Sequence, residues 1–123
     1  MKPERPSIHI TANERITEQQ LTDLVLGIEE EGVPVVVHRT EQLNPLTCAL
    51  DAAVASRLGV GVGVSLDYVV ITTEKLPEQR PYIAEFLNQS TAADRIIGSN
   101  AARLVKRLPL RSTRDERNHS CKH

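Results

Sequence analysis

Tryptophan is absent from this sequence, and two tyrosines and one phenylalanine are the only other large aromatics. The core must therefore come from Val, Ile, Leu and Ala, and the stacking platforms that hold unpaired bases are excluded. Cysteine is scarce as well. Cys48 falls in an expected helix and Cys121 near the end of the chain, a usage that fits a reducing compartment better than a disulfide scaffold, so a cytoplasmic protein is expected. No apolar run is long enough to span a bilayer, and the charged start MKPERPS is not followed by a signal-peptide core. The expectation is a chain that is neither exported nor anchored. Charge of one sign is also missing: 15 Lys and Arg face 16 Asp and Glu, for a formal net charge of -1. Without a basic patch, neither nucleic acid nor an anionic membrane is an expected partner.

What is present suits a single domain. The chain has 123 residues, 40% of them hydrophobic, enough to bury a core without staples. One α/β domain is expected over residues 1–110. Residues 111–123 (RSTRDERNHSCKH) are charged and lack a hydrophobic period, which predicts a disordered tail.

Residues 6–10 (PSIHI) alternate as a first strand. Thr17 and Gln20 then form a capping box, and Leu21, Leu24, Val25 and Ile28 recur at helical spacing up to Gly32. The β-branched run 33–38 (VPVVVH) predicts a short strand covered on both faces. Asn44-Pro45 opens a helix over 46–57 with Leu46, Ala49, Leu50 and Ala53 on one side and Cys48 packed beside them. Strands at 60–65 and 68–73, joined by Leu66-Asp67, should pair antiparallel. Residues 81–87 read more as strand than helix. A last helix, capped by Ser90 or Thr91, carries Ile96, Ile97, Ala101, Leu104 and Val105 and ends at Lys106-Arg107 before Pro109. This order predicts a small, open, mostly parallel sheet with helices on both faces.

The glycines of Gly59-Val60-Gly61-Val62-Gly63 have neither the spacing of a dinucleotide fingerprint nor the Lys-Ser/Thr of a phosphate loop. They describe a strand with one face free of side chains, against which another element packs closely; a ligand in that place would make a small α/β enzyme. His9 and His38 fall on neighbouring strands without further ligands at metal spacing and are expected to be structural. His119, Cys121 and His123 lie in the tail, with nothing to organise a metal site. No nucleophile elbow or Ser, His and acid set is present, so no catalytic residue is assigned.

The feature that resists a bland reading is GIEEEGVP, residues 27–34. Three carboxylates stand at a helix C-terminus, where the dipole disfavours each by roughly 0.3 to 1 kcal/mol. With the stripe of Leu21, Leu24, Val25 and Ile28 placed inward, Glu30 points out, on a face shared with Gln19, Asp23 and Leu26. Gly27 lies beside them and leaves a notch, at about 1 kcal/mol relative to Ala. An exposed leucine, a notch and an outward acid together suggest a docking surface that offers a carboxylate to a cation on a partner.

Two stretches, GIEEEGVP and residues 98–110 (GSNAARLVKRLPL), resemble the small subunit of the reactivating factor for adenosylcobalamin-dependent diol or glycerol dehydratase, in the superfamily of the dehydratase medium subunit. The order of elements over residues 7–110 runs in parallel. The resemblance implies a non-catalytic chaperone subunit whose partner, an ATP-hydrolysing large subunit, has an actin-like or Hsp70-like core. It implies transient docking on the dehydratase and release of damaged cobalamin by subunit exchange. It also implies that Glu30 reaches a divalent cation, Mg²⁺ or Ca²⁺, shared with the large subunit, and adds Asn100 and Arg103 as candidate interface residues to Asp23, Leu26, Gly27 and Glu30 of the docking surface. Neither nucleotide nor cobalamin is expected to bind directly. A medium subunit that does bind cobalamin is the alternative, but Ser65-Leu66-Asp67-Tyr68 replaces the basic loop suited to the cofactor's anionic tail. The same resemblance allows association with a bacterial microcompartment and, for the isolated chain, a homodimer that covers the docking face.

Overall fold

The computed structural model describes residues 6–74 and 83–112. Its elements are β1 (Ile8–Asn13), α1 (Glu18–Glu30), β2 (Val35–Thr40), α2 (Pro45–Ala55), β3 (Val60–Ser65), β4 (Tyr68–Thr73), β5 (Ile83–Phe86) and α3 (Thr91–Lys106). The strands form one sheet in the order β2-β1-β3-β4-β5. β1 pairs parallel with β2 and β3, while β4 runs antiparallel to β3 and β5. Four of the five strands thus point one way in a mixed sheet.

Local chemistry sets the boundaries. The Thr17 side chain accepts from the Gln20 backbone N–H and the Gln20 side-chain oxygen accepts from the Thr17 backbone N–H, a complete capping box for α1. Asn44 caps α2 ahead of Pro45, and Ser90 caps α3. Leu66, at φ 57, turns β3 tightly into β4, with Ser65 opposite Tyr68.

One face of the sheet carries the main core. Ile8, Ile10, Ala12, Val60, Val62, Val64, Val69 and Ile71 meet Leu21, Leu24 and Ile28 of α1 and Ile97, Ala101 and Ala102 of α3. The other face is covered by α2, whose Cys48, Ala49, Ala52 and Ala53 are buried. Gly61 and Gly63 permit this. A Cβ at either position would overlap α2 backbone atoms of Ala49, Ala53 or Pro45. The close-packing reading of the glycine strand therefore holds, and the ligand cleft of the enzyme alternative is occupied by a helix.

Two expectations need correction. β2 is an edge strand: Val37 is 42% exposed and His38 and Arg39 are also exposed. A β-branched run reports a preference for extended backbone, whereas burial depends on neighbours that an edge position lacks. In α2, Leu50 is exposed and Cys48 and Ala52 are buried in its stead. The glycine surface beneath admits only small side chains, which turns the helix away from its larger apolar residues. Of the tail expected over residues 111–123, Arg111 is held through its backbone by Asn100, and residues 113–123, with His119, Cys121 and His123, lie outside the described residues, as does Tyr82.

Candidate functional site

The crevice at the C-terminal ends of the parallel strands, where an α/β enzyme would hold its ligand, is filled by the chain itself. Asn13 Nδ2 donates to the carbonyls of Gln42 at 2.9 Å and Glu41 at 3.2 Å. The Ser65 hydroxyl donates to the Leu43 carbonyl at 2.6 Å. These bonds tie the loop after β2 over the strand ends and employ the polar groups that might otherwise converge on a substrate. Cys48 is buried, and burial pushes its thiol up, assisted by the nearby Asp51 charge, which disfavours the reactive thiolate. His9 Nδ1 and His38 Nε2 lie 2.8 Å apart with their rings stacked, so each histidine has the other as its partner on the neighbouring strands.

The chemistry that remains lies along α1 and its seam with α3. Contacts advance together along both helices: Gly27 meets Arg95, Gly98 meets Leu24 and Ile28, and Glu31 meets Ser99 and Arg103. The helices therefore run side by side in the same direction. A Cβ at Gly27 would overlap the Arg95 carbonyl oxygen, and one at Gly98 the Leu24 carbonyl oxygen. Gly27 is buried. The notch expected there is thus filled by α3, a correction that explains why a mid-helix glycine is retained despite its cost.

Parallel packing sets two negative helix ends together, and three glutamates add to that. α3 supplies the compensation. Ser99 Oγ donates to Glu31 Oε2 at 2.6 Å, Arg103 Nε reaches the same oxygen at 3.3 Å, and Lys106 Nζ donates to the Glu31 carbonyl. The Ser99 bond holds the Glu31 carboxyl below its usual range against the opposing effect of burial, with help from the Arg103 and Lys106 charges. Glu31 is therefore a structural anchor rather than solvated surface.

Glu30 is different. Its side chain is 56% exposed and meets Arg95 Nη1 at 3.4 Å, while Arg95 Nε meets Asp23 Oδ1 at 3.3 Å. Leu26, on the other flank of the ridge, lines an apolar groove of about 500 Å³ between α1 and the edge strand, together with Leu21, Val25, Val37 and Arg39. Asp23, Leu26 and Glu30 follow one another along one ridge of α1, but only Glu30 is exposed: Asp23 is half-buried, and Leu26, expected to be exposed, is half-buried in the groove beside the edge strand. Asn100 and Arg103 lie elsewhere. Asn100 is buried and clamps the Arg111 backbone with two bonds of 2.6 Å, and Arg103 Nη1 donates to the Pro109 carbonyl at 3.0 Å. Both side chains are engaged in fixing the chain after α3.

Sequence reasoning passed over Arg95, Ser99 and the distinct role of Glu31. The signal was a matched pair of i, i+4 ladders, Asp23-Gly27-Glu31 on α1 and Arg95-Ser99-Arg103 on α3. Among the described residues no group of three or more His, Cys, Asp or Glu could hold a metal ion. Glu30 can offer one exposed carboxylate to a cation, and a partner would have to supply further ligands.

Residues 5–111 match the family model described as dehydratase medium subunit. A propanediol dehydratase-reactivating factor small subunit from Citrobacter freundii is 42% identical over 89 residues, which cover 72% of this chain and 77% of that protein. The diol dehydratase-reactivating factor small subunit of Klebsiella michiganensis is 35% identical over 94 residues, 76% of this chain and 75% of that one. Among solved structures, a glycerol dehydratase reactivase chain superposes with a TM-score of 0.79 at 29% identity, covering 88% of this chain and 98% of its own. A chain of the diol dehydratase-reactivating factor complexed with ADP and Mg²⁺ gives 0.79 at 32% identity, with coverage of 89% and 100%.

Proposed function

The chain belongs to the dehydratase medium subunit family, beside the reactivating-factor small subunits, and from that premise we propose that it is the non-catalytic small subunit of such a factor. In this reading it serves an adenosylcobalamin-dependent diol or glycerol dehydratase in the cytoplasm. Nucleotide hydrolysis belongs to a large subunit, and damaged cobalamin leaves when the small chain exchanges places with a dehydratase subunit.

The observation that carries this reading is the contrast between a closed interior and an open ridge. The strand-end crevice is plugged and the glycine face is sealed by α2, and among the described residues the ridge of Asp23, Leu26 and Glu30 sets acids beside an apolar groove. Leu26 and the groove beside it give apolar contact area, and the exposed Glu30 carboxylate gives a ligand for a divalent cation completed by the large subunit. A cation there would neutralise an acid that the α1 dipole disfavours. It would also make assembly depend on Mg²⁺. Direct cobalamin binding is disfavoured because Asp67 stands in the exposed β3–β4 turn where an anionic cofactor tail would need a cation.

The test is reconstitution. The chain, co-expressed with the large subunit, is added with ATP and Mg²⁺ to dehydratase holding cyanocobalamin. The expected outcome is release of the bound cobalamin and recovery of activity once adenosylcobalamin is supplied, with neither subunit sufficient alone. Recovery by the large subunit alone, or substrate turnover by the isolated small chain, would refute the reading.

A further inference from the structure

The acids of the docking ridge are not bare in the free chain. Arg95 of α3 lies across α1, with Nε on Asp23 and Nη1 on Glu30. Its place is fixed by the backbone. The Arg95 carbonyl rests against Gly27, which stands four residues after Asp23 and three before Glu30, so the side chain emerges between two carboxylates that lie about two turns apart on one face of α1.

We propose that Arg95 is a resident counter-cation that competes with the divalent cation of the interface for Glu30. The inference rests on the metal role proposed above for Glu30. In the free chain the guanidinium holds the acid; in the complex the metal takes it, and Arg95 turns back onto Asp23.

Three features fit this exchange. The Glu30 contact is long at 3.4 Å and both partners are largely in water, at 56% and 44% exposure, so it breaks readily. Asp23 is less exposed, at 26%, and retains the guanidinium when Glu30 leaves. An acid beside a helix C-terminus that loses its metal would be left as an uncompensated charge; with Arg95 at hand the vacated ridge is neutralised at once. The interface is thereby made reversible, as subunit exchange requires.

The experiment is a Mg²⁺ titration of assembly between this chain and the large subunit, followed by analytical ultracentrifugation. An exposed ion pair of this kind is worth about 1.4- to 5-fold in an equilibrium. Arg95→Gln is therefore expected to lower the Mg²⁺ midpoint by about 1.4- to 5-fold. Lys106→Gln removes the same charge from a side chain bound to the Glu31 carbonyl and should leave the midpoint unchanged. No shift in Arg95→Gln, or equal shifts in both variants, would overturn the proposal. Should Arg95→Gln fail to fold by circular dichroism, Asp23→Asn replaces it. That variant leaves the guanidinium to Glu30 alone and should raise the midpoint by about 1.4- to 5-fold, and an unchanged midpoint would overturn the proposal. Glu30→Gln separates the two ideas: if it assembles with the wild-type Mg²⁺ dependence, the metal reading itself fails. If it abolishes that dependence while Arg95→Gln changes nothing, only the counter-cation fails.

Discussion

Glycines press backbone against backbone at two places in this molecule, with opposite consequences. Under α2, Gly61 and Gly63 meet a helix of alanines and Cys48, and the contact is a dry seal with no chemistry. Between α1 and α3, Gly27 and Gly98 make an equally close contact, but its borders carry Asp23, Glu30 and Glu31 against Arg95, Ser99 and Arg103. The difference lies in what flanks the glycine. Small apolar neighbours produce a wall, whereas ionic neighbours one helical turn away produce a surface whose charges are held in register. The same device seals one side of the sheet with α2 and, on the other, holds acids and bases of two helices opposite one another.

The seal under α2 is the more sensitive of the two contacts. Gly61→Val should cost about 3 kcal/mol or more, because a sheet with α2 seated on it cannot yield to the added side chain; chemical denaturation, or loss of soluble protein, reads this out. At the seam, two helices can slide apart, and Gly98→Ala also gains about 1 kcal/mol of helix propensity. A net loss of about 1 to 2 kcal/mol is expected, measured the same way. Sharpening comes from the charges. Glu31→Gln should cost about 1 kcal/mol at neutral pH, and its cost should depend on pH. The folded carboxyl is held below its usual range, so its stabilisation is fully present above the ordinary glutamate range and is lost as pH falls through the lowered folded value. The wild-type advantage over Glu31→Gln should therefore shrink below about pH 4; an advantage that grew in acid would contradict the assignment. Smallest of all, Glu30→Gln should change stability by no more than about 0.5 kcal/mol, because its ion pair is exposed.

Much of the scaffold was legible from local signals. The capping box at Thr17 and Gln20, the tight β3–β4 connection and the apolar stripe of α3 each depend on residues close in sequence. The glycine alternation of β3 also foretold close packing, although not which helix would supply it. What escaped was fixed at long range. Whether β2 is central or an edge depends on the order of the whole sheet, and a run of valines reads the same in both. Leu50 was misplaced because the shape of the surface under α2, rather than helical periodicity, decides which side turns inward. In the candidate site, periodicity placed Glu30 outward correctly from α1 alone. Glu31 and Arg95 required knowledge that α3 lies alongside, since Arg95 and Asp23 are 72 positions apart. The pairing left only a matched spacing of acids and bases on two distant helices, and a charge ladder of that sort also occurs on solvated faces.

The α1–α3 seam divides the three adjacent glutamates: it takes Glu31 as an anchor and leaves Glu30 exposed, the acid proposed above as the partner's ligand. The most direct test is capture of the large subunit by the small chain, with and without Mg²⁺, for Glu29→Ala, Glu30→Ala and Glu31→Ala, each checked for its melting temperature. The account predicts that Glu30→Ala loses most of the Mg²⁺-dependent capture while melting like the wild type. Glu31→Ala should melt lower but still capture when folded, and Glu29→Ala should change neither. Equal loss of capture in all three variants, or Mg²⁺-dependent capture that survives Glu30→Ala, would contradict it.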